Sequence, residues 1–111
     1  MAPPIVELTN ESFHSFVERH ERCVIHFWAG WNAHDREMRS LLEELAPEFE
    51  HSIVFGSLDT DPPAHHGLCQ SLGIVNLPFV ASFRKGGLVD SFTGLRSRDA
   101  LGQRLGALVS D

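Results

Sequence analysis

Residues 23–35 read Cys-Val-Ile-His-Phe-Trp-Ala-Gly-Trp-Asn-Ala-His-Asp. The run from Cys23 to Trp28 is apolar except for His26, and it breaks at Ala29-Gly30. A short apolar run closed by a glycine reads as a strand buried on both faces, and the residues after it open a helical pattern. Trp31 to Asp35 therefore fall where a central strand ends and a helix begins. Open α/β sheets do their chemistry at that place, because backbone N–H groups and the positive end of the helix point outward there.

Outward from this stretch the pattern alternates. Ile5 to Leu8 reads as a short strand, and Thr9 or Asn10 caps a helix that carries Phe13, Phe16 and Val17 to about His20. Past the central strand, Met38, Leu41, Leu42 and Leu45 fall at i, i+3, i+4 and i+7, giving the helix that starts near Asn32 one apolar stripe. Pro47 ends or bends it, since proline has no N–H for the carbonyl four residues back. Ile53 to Leu58 is a third strand, Asp59 to Ala64 a turn, and His65 to Leu72 a short helix closed by Gly73. Phe79 to Arg84 and Leu88 to Thr93 make a hairpin around Lys85-Gly86-Gly87, and Ser97 caps a last helix bearing Leu101, Leu105 and Leu108. The order βαβαβαββα predicts an α/β fold: one mixed five-stranded sheet flanked by about four helices, in one domain over 1–111.

Composition narrows the function classes. A chain of 111 residues, 42% of them hydrophobic, builds one core. A net charge of −6 argues against a nucleic acid or an anionic membrane as partner. No apolar run has membrane-spanning length, and Met1-Ala2-Pro3-Pro4 shows no secretory pattern, so a cytoplasmic location is expected. Seven histidines raise the question of a metal, but no His-x-x-x-His or Cys/His spacing occurs, and no metal or cofactor is expected. Cys23 and Cys69 are far apart in sequence and read as reduced, buried, small apolar residues rather than a disulfide. No Gly-x-Ser-x-Gly motif or phosphate loop is present.

Phe27-Trp28-Ala29-x-Trp31 followed by a helix resembles the thioredoxin family, including the protein disulfide isomerases. Gly73 to Phe79 resembles that family's segment ending in a cis-proline, Phe83 to Gly87 its last hairpin, and Phe92-Thr93-Gly94 its substrate-facing loop. The resemblance implies the thioredoxin fold, and a cis bond between Leu77 and Pro78. Where that family has Cys-x-x-Cys, this chain has Asn32-Ala33-His34-Asp35, so the degenerate motif holds no sulfur. Thiol–disulfide exchange needs a thiolate, and neither Asn32 nor Asp35 supplies one. Asn32 reads instead as a helix cap, and Asp35 as a carboxylate suited to the helix dipole. The family's peptide groove maps onto Trp31, Leu77, Pro78, Thr93 and Gly94. Trp31 then either meets a partner or merely covers the helix start.

One exchange concerns the interior. Many thioredoxins carry a buried aspartate in the central strand, just before Phe-Trp; here that position is His26, while an acid, Asp35, stands at the resolving position. Strand alternation sends His26 to the same face as Trp28. His26 is either a core histidine satisfied by backbone or water, or the partner of Asp35 in a structural polar pair. The chain thus reads as a redox-inactive thioredoxin-like protein without catalytic residues, a binder of protein or peptide. The alternatives are an oxidoreductase using Cys23 or Cys69 as a single thiol, and a structural subunit of a complex.

Overall fold

A computed structural model describes residues 4–110; positions 1–3 and 111 of the expected domain lie outside the described residues. The elements run β1 (Ile5–Leu8), α1 (Asn10–Arg19), β2 (Arg22–Trp28), α2 (Ala33–Leu45), β3 (Val54–Asp59), α3 (His66–Ser71), β4 (Phe79–Arg84), β5 (Gly87–Thr93) and α4 (Arg98–Val109). The strands form one mixed sheet in the order β1-β3-β2-β4-β5. β1 and β2 each pair with β3 in parallel, and β4 pairs antiparallel with both β2 and β5.

β2 lies at the centre and buries both faces. Val24 joins the cluster made with α2 and α4, which holds Met38, Leu42, Leu101 and Leu105. Cys23, Ile25 and Phe27 join the opposite cluster with Phe13, Phe16 and Leu68, from α1 and α3. The period of two thus carries His26 to the α2 side. At Gly56 in β3 the layers approach so closely that an added Cβ would lie 2.9 Å from Leu8 Cδ1 and 3.0 Å from Ile25 Cδ1.

Helix starts follow local chemistry. The Thr9 side chain and Ser12 form a reciprocal capping box at α1, and Ser97 accepts the Ala100 N–H at α4. α2 stops at Leu45, two residues before Pro47, and the chain continues as a 3₁₀ turn over Ala46–Phe49. The helix expected from His65 begins instead with a 3₁₀ turn, Pro63–His65, so α3 is shorter than the sequence pattern suggests. A proline suits such a first turn because its missing N–H has no partner to bond there. The β4–β5 hairpin closes through two residues, Lys85 at φ 50° and Gly86 at φ 85°, so β5 begins at Gly87. Positive φ at both positions matches the twist of the flanking strands. No helix among the described residues is long and apolar enough to cross a membrane.

Candidate functional site

The carboxyl end of β2 turns through Ala29-Gly30-Trp31 into α2. The Asn32 N–H donates to the Ala29 carbonyl at 3.1 Å, which closes the turn. The Asn32 side chain then works in two directions. Its Oδ1 accepts the His34 N–H at 3.0 Å as the N-cap, and its Nδ2 donates to the Leu77 carbonyl at 3.2 Å. The first residue of the degenerate motif therefore ties the helix start to the loop before Pro78. The Leu77–Pro78 peptide is cis, and the Gly94 N–H donates to the Pro78 carbonyl at 2.8 Å, so the loop ending β5 is held to the same segment.

Trp31 stands out of this frame, 73% exposed. Its indole N–H donates to Asp61 Oδ1 at 3.0 Å, fixing the ring by one edge and leaving its faces open. Beside it lies a pocket of about 280 Å³ whose lining includes Trp31, Asn32, Cys69, Val75 and Leu77. Val75 is 85% exposed, so two large apolar side chains rim this hollow. Thr93 is exposed and Gly94 partly buried at φ 97°; neither lines the pocket, and they join it only through Pro78. Ala33 and His34 point to solvent at the start of α2.

The fourth motif position faces the other way. Asp35 is 4% exposed, and its Oδ1 lies 2.9 Å from His26 Nε2. Its Oδ2 accepts the Ala29 N–H at 3.1 Å. Both carboxylate oxygens thus have a hydrogen-bond partner, one from β2 and one from the turn. His26 is 1% exposed, so the pair is sealed beneath α2.

The two cysteines differ. Cys23 is fully buried, and desolvation pushes its thiol up to about 12. Cys69 was expected to be buried and is only partly so. Leu68 takes the inward place on α3, and the next residue is rotated by about 100°, toward the groove. Burial raises the Cys69 thiol above its ordinary value, and a backbone hydrogen bond partly offsets that. Neither cysteine is bridged. Among the described residues no three His, Cys, Asp or Glu side chains gather as metal ligands would.

Two residues that shape the site carried no sequence signal. Asp61, thirty positions from Trp31, anchors the indole. Arg96 wraps the glycine loop: its Nη1 donates to the carbonyls of Thr93, Gly94 and Leu95, and its guanidinium sits 4.8 Å from the Phe92 ring centroid.

The thioredoxin family model matches residues 4–107. The chain is 26% identical over 97 residues to a protein disulfide-isomerase of Aspergillus oryzae, and 28% over 102 residues to one of Saccharomyces cerevisiae. These alignments cover 87% and 89% of this chain but 19% of each isomerase. A thioredoxin of Mycolicibacterium smegmatis is 27% identical, with 86% of this chain and 87% of that one aligned. A solved mutant thioredoxin from Halobacterium salinarum superposes over 100% of this chain with a TM-score of 0.86 at 18% identity.

Proposed function

The chain belongs to the thioredoxin family, and from that premise we propose that it binds an extended protein or peptide segment in the groove beside Trp31 without exchanging disulfides. The observation that carries this is the pairing of an open groove with a motif that has no sulfur. Trp31 is held by its edge with its faces free, Val75 and Leu77 offer apolar surface, and Asn32 and Asp35 stand where relatives of this type place their cysteines. An exposed tryptophan beside a shallow apolar hollow suits a partner side chain, because rigid aromatic area binds at low entropic cost.

The half-buried Cys69 in the groove lining favours a second reading, in which it acts as a single thiol. Its raised pKa runs against that, since the thiolate is the reactive form. Two unbridged cysteines also agree with a reducing, cytoplasmic setting, which belongs to the same proposal.

Carboxymethylated insulin B chain, which has neither a free thiol nor a disulfide, is a suitable probe. Titrating it by calorimetry should give saturable binding, weakened about tenfold or more by Trp31→Ala, a loss of ~1.4 kcal/mol or more. Absence of saturable binding, or equal binding by Trp31→Ala, would overturn the proposal.

A further inference from the structure

Away from the groove, Phe92 in β5 carries two of the protein's own guanidinium groups. Arg104 stands 4.5 Å from its ring centroid and Arg96 4.8 Å. Arg104 also lies 3.6 Å from the Asp90 carboxylate. Ring, cation and carboxylate serve one another there: the ring face attracts the cation, and the acid balances its charge.

The rim of the groove holds the same arrangement with one member missing. Asp61 Oδ1 accepts the Trp31 indole N–H at 3.0 Å, which fixes a carboxylate at the edge of the ring. Asp61 is exposed, and its Oδ2 has no hydrogen bond or ion pair among the described residues. Asp59 Oδ1 accepts the Asp61 N–H at 3.0 Å and brings a second carboxylate against the Asp61 backbone. Trp31 is 73% exposed, and no cation stands over it among the described residues. Residues 29–35 and 59–78, which supply the groove lining, contain no Lys or Arg. Their histidines are engaged elsewhere. His65 Nδ1 and His66 Nε2 bond the Asp59 and Asp61 carbonyls, and His34 lies 3.9 Å from Glu37.

We propose that the segment bound in the groove presents an arginine to this corner, its guanidinium stacked on the open face of Trp31 and paired with Asp61 Oδ2. Arginine fits better than lysine, because a planar guanidinium both stacks on a ring and bonds a carboxylate through parallel N–H groups. The net charge of −6 adds a general pull on a basic partner. This inference rests on the peptide-binding reading and names what the groove selects.

Three peptides, acetyl-Ser-Gly-Leu-Xaa-Phe-Gly-Ser-amide with arginine, glutamine or glutamate at Xaa, test it by calorimetry. In about 20 mM salt the arginine peptide should bind about tenfold more tightly than the glutamine peptide, and the glutamate peptide more weakly still. Raising salt to about 0.5 M should shrink that preference. Asp61→Asn keeps an oxygen for the indole N–H and loses the charge, so it should bind the arginine and glutamine peptides within about twofold of each other. Equal binding of these two peptides by the wild type would overturn the arginine preference and leave peptide binding standing. A preference that Asp61→Asn retains, or that salt leaves unchanged, would do the same. Saturable binding of none of the three would overturn both readings.

Discussion

The start of α2 has two sides that solve different problems. On the inner side Asp35 has both oxygens bonded, to His26 and to the Ala29 N–H, and almost no exposure. On the outer side Asn32 ties the helix to the Leu77 carbonyl, but Trp31 and Val75 stay in solvent. The inner side cannot leave a polar group unpaired, since desolvation without a partner is costly. An acid at the helix start therefore requires a partner, and the strand below supplies it as histidine. The outer side carries no such demand, and under the proposed function its apolar surface is what a bound segment would cover. The interior polar residues His26 and Asp35 come as a bonded pair, whereas the exposed apolar residues Trp31 and Val75 have no such constraint.

Four experiments press on that contrast, in order of falling effect. Asp35→Ala strands the His26 ring in the interior and should cost about 3 kcal/mol in urea unfolding. His26→Ala should cost less once Asp35 is already gone, giving a coupling above about 1 kcal/mol in a double-mutant cycle; additive losses would mean that the inner side is not a pair. Next come two glycines. Gly56→Ala pushes a methyl group against Leu8 and Ile25 and should cost about 2 kcal/mol, while Gly30→Ala, with nothing within 4 Å, should stay within about 0.5. Equal costs would erase the difference in packing between core and turn.

The third is a pH effect. Below pH 9 the Cys23 thiol keeps its proton whether the chain is folded or not. From its ordinary value of 9.0 upward the unfolded thiol ionises, while burial holds the folded one protonated to about 12. Stability is therefore full below pH 9 and falls as pH rises toward 12, by roughly 1 kcal/mol at pH 10. The chain has no tyrosine, but the Cys69 thiol, which burial also raises, contributes to the same limb, so the Cys23 share is read as the difference between wild type and Cys23→Ala. Cys23→Ala should flatten the slope, and an unchanged slope would contradict the assignment. The smallest effect on stability belongs to the outer side: Trp31→Ala should change unfolding by less than about 0.5 kcal/mol. A loss above about 1.5 kcal/mol would make Trp31 a structural cover rather than a binding surface.

Much of this fold was legible because it rests on local rules. The apolar run at Cys23–Trp28, the stripe on α2 and the caps at Thr9 and Ser97 are short-range patterns. Alternation along β2 placed His26 on the face of Trp28 and left its partner open; the structure has its ring 2.9 Å from Asp35. Other features depend on approaches that sequence spacing does not encode. The bond from Trp31 to Asp61 spans thirty residues, and the second bond of Asn32 spans forty-five. Arg96 curls back on its own loop because Phe92 offers a ring face, and nothing in a lone arginine announces that. Cys69 fails as a buried residue because Leu68 already occupies the inward direction of a helix only six residues long.

The central claim is that the fold persists while sulfur chemistry has left the motif. Insulin disulfide reduction with dithiothreitol as donor tests it most directly, since the readout needs a thiolate at the groove. The onset of insulin precipitation should match that of the donor alone, with the wild-type chain and with Cys69→Ala alike. A catalysed onset with the wild type would contradict the account, and its loss in Cys69→Ala would assign the activity to that single thiol.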